Sequence, residues 1–383
     1  MRVAVDGRFF RHPSRGGFKI YLESLVPEYV ANDGGHTFTI YTDRSAEGST
    51  QLSERVALRD LGITSRPGYD QIALTRALRA APPDVAFFPT NTMPMRYAGP
   101  AVVTLHDTIP IFDSKLMPQI TGRRMKHRLI TLYDAMLMRF AARRANHIIT
   151  VSEFARRDII ERLGVDPARI SVVYPGKNII FRRLDDRRAV EETLKRRWNL
   201  PLGYILCLGS PDLRKNIPRV MEAYARLIQS ARDIPPLVLV VTAAHMKDRY
   251  LRLAAALGIG DRVVYLSGLT HEELVFVYNG ACLLAFPSLY ETFGNPCIEA
   301  MACGTPVLTS NASAIPEVVG DAAEQVTPTD VSSMAERMRA LITDTALRDR
   351  RIGEGLRRAA RYSWSEHARQ TIAIFERVAG VAR

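Results

Sequence analysis

A chain of 383 residues is long enough for two or three domains that each bury their own core, which excludes a small disulfide-stapled scaffold. Apolar residues at 47% and charged residues at 24% exclude a disordered or fibrous chain. The net charge of +12 favours an anionic partner: a nucleotide, a nucleic acid or an anionic membrane surface.

Short β-rich apolar runs alternate with helical patterns from end to end, the signature of parallel sheets with crossover helices. The expected strands of the first half are Arg2–Phe10, His36–Thr42, Val85–Pro89, Ala101–Asp107, His147–Ser152 and Ile170–Tyr174. A helix is expected over Phe18–Asn32, with Phe18, Leu22, Leu25, Val26 and Tyr29 as its apolar stripe. The stretch Pro175–Pro201, with its charge run from Arg182 to Arg197, reads as the linker, with a hinge near Tyr174–Leu184. The second half repeats the scheme with strands at Tyr204–Gly209, Leu237–Thr242, Val263–Ser267, Leu283–Pro287, Pro306–Ser310 and Ala323–Val326. Two doubly wound α/β domains follow. No apolar run reaches the roughly 18 residues that cross a bilayer. Asp6 also interrupts the N-terminus before a signal-peptide core could form, so a chain neither secreted nor membrane-spanning is expected. Cys207, Cys282, Cys297 and Cys303 form no C-x-x-C pair and lie in apolar segments, as buried thiols of a reducing cytoplasm would.

Ligands of open α/β sheets bind beyond the carboxyl ends of the strands, so the residues there are the candidates. Gly16 and Gly17 join the first strand to its helix and allow close approach of a phosphate; a tight turn explains them equally well. His106 and Asp107 end a strand at the same edge. Ser152 is the expected cap of the helix Glu153–Leu163. Gly122–Ala145 carries Arg123, Arg124, Lys126, Arg128, Arg139, Arg143 and Arg144 beside the apolar positions Met125, Leu129, Leu132, Met136 and Phe140. Such a helix can lie on an anionic membrane or pack its stripe on its own sheet.

After the strand ending at Gly209, Arg214 and Lys215 precede a helix whose N-terminus repels cations, a conflict that a bound diphosphate would resolve. After Pro287 comes Glu291-Thr-Phe293-Gly294-Asn295-Pro-Cys-Ile-Glu299, followed by Gly304. Asn295 is the expected N-cap and Pro296 the first helical residue, so Glu299 lies one turn in and leans back beside Glu291. Two carboxylates would then face the hydroxyls of one ligand, with free N–H groups at Gly294 and Asn295 for phosphate or hydroxyl oxygen.

The run from Glu291 to Pro306 resembles the E-x7-E signature of the retaining glycosyltransferases of family 4. Gly16-Gly17, Leu105-His106-Asp107, Val151-Ser152-Glu153-Phe154, Arg214-Lys215-Asn216 and the terminal Trp364–Val378 helix follow in family order. The resemblance implies a GT-B fold: Rossmann-like domains at residues 1–180 (acceptor side) and 181–362 (nucleotide-sugar side), with 363–383 crossing back to the first. It implies that Arg214 and Lys215 hold the donor diphosphate, that Glu291 and the Phe293–Asn295 backbone bind the donor sugar, and that Glu299 binds the ribose. Gly16 and Gly17 would approach phosphate or sugar, and His106 would lie near sugar and acceptor. Ser210 departs from relatives that carry an Arg there. No cofactor is implied; the donor is a co-substrate.

The chain contains no D-x-D, the arrangement that holds a metal on the diphosphate in the other main glycosyltransferase architecture. Metal-independent transfer is therefore expected. The expected function is transfer of a hexose, mannose from GDP-mannose first, to a saccharide or lipid-linked acceptor in polysaccharide assembly. The expected location is cytoplasmic, with peripheral contact at the inner face of the membrane. A UDP-hexose donor and a GT-B sugar-nucleotide epimerase are the alternatives. Nucleic acid is not an expected partner, because the charge is spread along the chain without a recognised module.

Overall fold

The computed structural model describes residues 1–10, 16–31, 34–43, 50–109, 124–210, 213–230, 233–241 and 246–381, with only the backbone course for 124–131. Its contacts divide the chain into two compact units. Among the described residues, the first comprises those of 1–109, 124–176 and 363–381, and the second those of 177–362.

The first unit is built on an eight-stranded sheet: β1 (Arg2–Asp6), β2 (Thr37–Thr42), β3 (Thr50–Ser53), β4 (Val56–Asp60), β5 (Val85–Phe88), β6 (Ala101–Thr104), β7 (His147–Thr150) and β8 (Ile170–Val172). The order is β3-β4-β2-β1-β5-β6-β7-β8, parallel throughout except for the β3–β4 pair. The β3–β4 hairpin is absent from the expected strands because its apolar signal is confined to Leu52, Val56, Ala57 and Leu58. β1 stops at Asp6, short of the expected Phe10, because Gly7 bonds back to Tyr41 and Phe10 turns onto Gly7. The chain steps from β1 outward to β2 and later returns to the other side of β1 with β5, so strand order reverses between β1 and β5. Ser152 caps its helix as expected, accepting from Ala155 N at 3.0 Å.

The terminal helix Trp364–Ala379 belongs to this unit. Trp364, Ala368, Ile372, Ile374 and Phe375 are buried in one core cluster with Val3, Val5, Tyr29, Phe38 and Phe87. Polar bonds fix its position: Tyr21 Oη lies 2.7 Å from His367 Nε2, and His367 Nδ1 lies 3.0 Å from the Tyr174 carbonyl. A carbonyl only accepts, so Nδ1 carries the proton and Tyr21 donates to Nε2. At the chain crossing, a Cβ on Gly176 would lie 2.2 Å from Trp364 N, so only glycine fits there.

The second unit carries β9 (Tyr204–Gly209), β10 (Leu237–Val241), β11 (Val263–Ser267), β12 (Ala281–Phe286), β13 (Val307–Ser310) and β14 (Glu324–Val326) in the order β11-β10-β9-β12-β13-β14, all parallel. Its strand order reverses between β9 and β12. The charge run expected to be linker is instead a helix of this unit, Arg187–Trp198, capped by Asp186 and closed by Asn199 in the left-handed conformation. Val190 and Leu194, four apart, are its buried side chains, while Arg188, Glu191, Glu192, Lys195 and Arg196 face solvent. Two apolar positions at helical spacing were enough to dock it, and the density of charge hid them.

Candidate functional site

The strand reversal between β9 and β12 brings the loops after both strands together. Leu289 N bonds to Arg214 O at 2.8 Å, and Asn216 Nδ2 bonds to Pro287 O at 2.9 Å and Pro328 O at 2.6 Å. Asn216 is buried and holds φ at +57°, which asparagine tolerates better than most residues. This buckle places Lys215 against Glu291. Lys215 Nζ donates to Glu291 Oε1 at 2.6 Å, and Ser288 Oγ donates to the same oxygen at 2.7 Å. The ammonium also lies 4.8 Å from the Phe286 ring centroid. Glu291 N donates to Ser313 Oγ at 2.9 Å, with Ser313 itself at φ +57°.

The anion expected to relieve Lys215 at the helix N-terminus is thus present as a side chain, Glu291, 76 residues away in sequence. Arg214 places its guanidinium 6.0 Å from the Tyr290 ring centroid. Glu299 does not share a hydrogen-bond partner with Glu291; its Oε2 accepts from Tyr278 Oη at 2.8 Å. Burial pushes its carboxyl up to about 7, with the Tyr278 bond and the Lys215 charge pulling the other way. Lys215 therefore pairs with Glu291 and acts electrostatically on Glu299.

The helix over Asn295–Ala302 starts one residue earlier than expected. Its N-cap is Gly294, at φ +103°, and Asn295 is the first helical residue, exposed and without a capping bond. The chain enters this helix through a left-handed turn that glycine alone adopts cheaply, and a Cβ there would meet Ile315 Cδ1 at 2.6 Å. The Phe293 side chain is buried edge-on against Tyr362, ring centroids 5.2 Å apart, which leaves its backbone for the ligand edge.

In the first unit, Gly16 precedes the helix Gly17–Ala31, and Ile20 N bonds to Gly16 O. Neither Gly16 nor Gly17 has positive φ, and a Cβ on either would meet nothing within 4 Å among the described residues, so no tight turn demands them. His106 follows β6, its ring edge-on to Tyr21 and Phe18 at centroid distances of 4.9 and 5.1 Å. Burial lowers its pKa to about 4, so it is neutral at pH 7.

Sequence reasoning passed over a polar network at the ends of β1 and β2. Asp6 accepts from Tyr69 Oη at 3.0 Å, while Arg8 bridges Asp70 at 3.2 Å and Asp43 at 3.6 Å. Tyr278, Ser313 and Asn91 were also missed, because each acts through partners distant in sequence.

Two family descriptions cover most of the chain: "Glycosyltransferase Family 4" over residues 15–179 and "Glycosyl transferases group 1" over residues 191–358. The O-antigen chain mannosyltransferase B of Escherichia coli is 30% identical over 278 residues, 72% of this chain and 70% of that protein. The chain belongs to family 4 of the glycosyltransferases. The serotype-specific mannosyltransferase WbdA of E. coli is 29% identical over 292 residues, 76% of this chain, although the aligned segment is only 34% of that longer protein. Among solved structures, the sucrose-phosphate synthase of Thermosynechococcus elongatus superposes over 100% of both chains with a TM-score of 0.77 at 19% identity. Anabaena HepE in complex with UDP-glucose superposes with a TM-score of 0.71 over 98% of this chain and 100% of that one, at 16% identity. The glycosyltransferase therefore has the GT-B fold that its two Rossmann-like sheets describe.

Proposed function

We propose that the enzyme moves mannose, with retention, from GDP-mannose to a saccharide or lipid-linked acceptor during polysaccharide assembly. The observation that carries the proposal is the Lys215–Glu291–Ser288 cluster at the β9/β12 reversal, next to the Gly294 helix start. The two E. coli relatives, both named mannosyltransferases, support the choice of sugar. In this reading Lys215 leaves Glu291 for the donor diphosphate, which joins Arg214 in carrying the leaving-group charge. Glu291 is freed to accept from sugar hydroxyls beside the Phe293–Asn295 backbone, and Glu299 accepts from the ribose. Charge is supplied by side chains and a helix N-terminus, so transfer proceeds without a metal.

Calorimetric titration with GDP, UDP and ADP and their sugar conjugates, with and without chelator, tests this. The expected result is chelator-insensitive preference for guanine nucleotides; a uridine preference moves the donor to UDP-hexose, and binding abolished by chelator overturns metal independence. Product formed without acceptor would instead indicate an epimerase. The same titration at pH 6 and pH 8 reports Glu299. Its folded pKa, about 7, lies above the ordinary carboxyl value, so its ionisation costs stability as pH rises through 7. Ribose hydroxyls select the ionised form, which grows from about a tenth to about nine tenths across that range, so affinity rises up to about tenfold. Glu299→Gln flattens this dependence.

Membrane contact belongs to the same proposal. No helix among the described residues is long and apolar enough to cross a membrane. In the helix Arg124–Arg144, the buried side chains among those described are Ala135, Leu137, Met138, Ala141 and Ala142, the last three packed in one core cluster with residues of β5 and β6. Leu132 and Met136 from the expected stripe are 66% and 45% exposed instead, in line with the exposed Arg139 and Arg143. Phe140 is partly buried, and the side chains of Met125 and Leu129 lie outside the described residues. Two exposed aliphatic side chains on a basic face favour an anionic lipid surface over packing. Sedimentation with anionic rather than neutral vesicles is expected, weakened by Leu132→Ser with Met136→Ser; equal partitioning to both vesicle types would remove the membrane contact.

A further inference from the structure

A helix leaves its last carbonyls without partners of its own, and in the helix His271–Gly280 each of them is taken from outside. Tyr204 Oη donates to Val277 O at 2.6 Å, Thr305 Oγ1 to Tyr278 O at 2.7 Å, Arg187 Nη1 to Asn279 O at 2.6 Å and Gly203 N to Gly280 O at 2.8 Å. The Asn279 side chain extends the clamp, accepting from Leu184 N at 2.8 Å and donating to Arg182 O at 3.0 Å. Tyr278 is thereby immobilised and fully buried, its ring edge-on to Phe181 at a centroid distance of 5.6 Å. Its hydroxyl has one hydrogen-bond partner among the described residues, Glu299 Oε2 at 2.8 Å. Burial holds the phenol well above the ordinary tyrosine range, so the hydroxyl keeps its proton and donates. Glu299 Oε1 has no hydrogen-bond partner among the described residues and is not among the polar atoms sealed from solvent. The two oxygens of one carboxylate are thus unequal: Oε2 is spent on a fixed phenol, while Oε1 keeps both lone pairs. A proton taken up by Glu299 goes to Oε1, because Oε2 already faces the proton of Tyr278.

We infer that Tyr278 is a positioning residue of the nucleotide site, its O–H occupying Glu299 Oε2 so that Oε1 is the oxygen presented to the ribose hydroxyls, an inference that rests on the sugar-transfer reading above. A vicinal diol offers two donors, and one oxygen with two free lone pairs can accept both. Proton and ribose then compete for the same atom. The phenol tips that competition, since its bond favours the ionised carboxylate while burial favours the neutral acid. The titratable groups that face Glu299 are Tyr278, Lys215 from the loop after β9, and the Cys297 and Cys303 thiols of its own helix. Burial pushes both thiols up to about 12, so they stay neutral. The strands β12 and β13 and the helices Ile315–Val319 and Thr345–Ala359, which pack on the same helix, add no group that shifts Glu299 among the described residues. Packing does not account for the hydroxyl, because phenylalanine would fill the same space against Phe181.

Tyr278→Phe removes the hydroxyl and keeps the ring. Its affinity for GDP-mannose and UDP-glucose, whose diphosphate diesters do not titrate in this range, is measured by calorimetry from pH 6 to pH 8.5 beside the wild type. The wild-type midpoint is expected at about 7. The lost bond favoured the charged form, so the midpoint of Tyr278→Phe is expected to rise by about one pH unit. Affinity then falls about fivefold at pH 7 and stays within about twofold of the wild type at pH 8.5. A tyrosine that only packs would change the melting temperature and leave the midpoint in place, so an unmoved midpoint overturns the inference. In the Glu299→Gln background no midpoint remains to be moved; a pH-dependent effect of Tyr278→Phe there would show action through another group and overturn it as well. Should Tyr278→Phe fail to fold, 3,5-difluorotyrosine at position 278 keeps ring and hydroxyl, donates more strongly and is expected to lower the midpoint; a midpoint that does not fall overturns the inference. Donor analogues lacking the ribose 2′- or 3′-hydroxyl tell its failure from that of the reading it rests on. Wild-type affinity indifferent to both removals, or no binding of either donor, overturns the two together. Wild-type affinity that falls on removal, with the midpoint unmoved in Tyr278→Phe, leaves the reading standing and overturns the inference alone.

Discussion

Lys215→Met is expected to lower turnover by a hundredfold to a thousandfold, roughly the range seen when one preorganised donor to a developing anion is deleted. Methionine retains an unbranched stem over Phe286 and removes only the ammonium, so packing is largely conserved. In the nucleotide-free enzyme the loss leaves the mostly buried Glu291 carboxylate with Ser288 alone, which costs about 1–3 kcal/mol of stability. The double variant Lys215→Met with Glu291→Gln makes the pair neutral and is expected to recover the melting temperature without recovering turnover. That contrast distinguishes a structural ion pair from a charge that serves the leaving group. If the single variant turns over within tenfold of wild type, Lys215 has no such role.

The second large effect is expected at Gly294. Alanine at φ +103° is strained by about 1–3 kcal/mol, and its Cβ would enter the space of Ile315 Cδ1, adding about 1–3 kcal/mol of overpacking. Thermal unfolding of Gly294→Ala is expected several degrees lower, with nucleotide affinity falling more than this destabilisation alone accounts for, since the start of the Asn295–Ala302 helix is displaced. Adding Ile315→Ala removes the steric contact and leaves the backbone strain, so partial recovery is the expected outcome. Full recovery would show that backbone conformation at Gly294 is unimportant, and no destabilisation in the single variant would refute both arguments.

Much of this glycosyltransferase was legible from local pattern. Fully apolar strands such as Val85–Phe88 and Leu237–Val241 announced parallel sheets covered on both faces, and the polar residues that follow them marked the ligand edge. His106, Lys215, Glu291 and Glu299 stood out there as candidates because residue type and position after a strand are properties of neighbouring residues. Where local signals competed, they misled. Asn295 is the better N-cap by side chain, but the backbone needed the left-handed turn that Gly294 gives. The Arg187–Trp198 helix looked like linker because its charges outnumber its two buried side chains.

The partnerships were decided by tertiary structure. Lys215 meets Glu291 across 76 residues, Tyr278 meets Glu299 across 21, His367 meets Tyr21 across 346, and Asn91 meets His106 across 15. Periods of 2 and 3.6 state which face of an element is buried; they do not state which element lies beside it. Strand order does, and it is set by burial summed over whole sheets and by the handedness of the crossovers. The sequence by itself therefore determined the class of fold. The folded chain alone decided which charge neutralises which and which carboxyl is pushed toward neutrality.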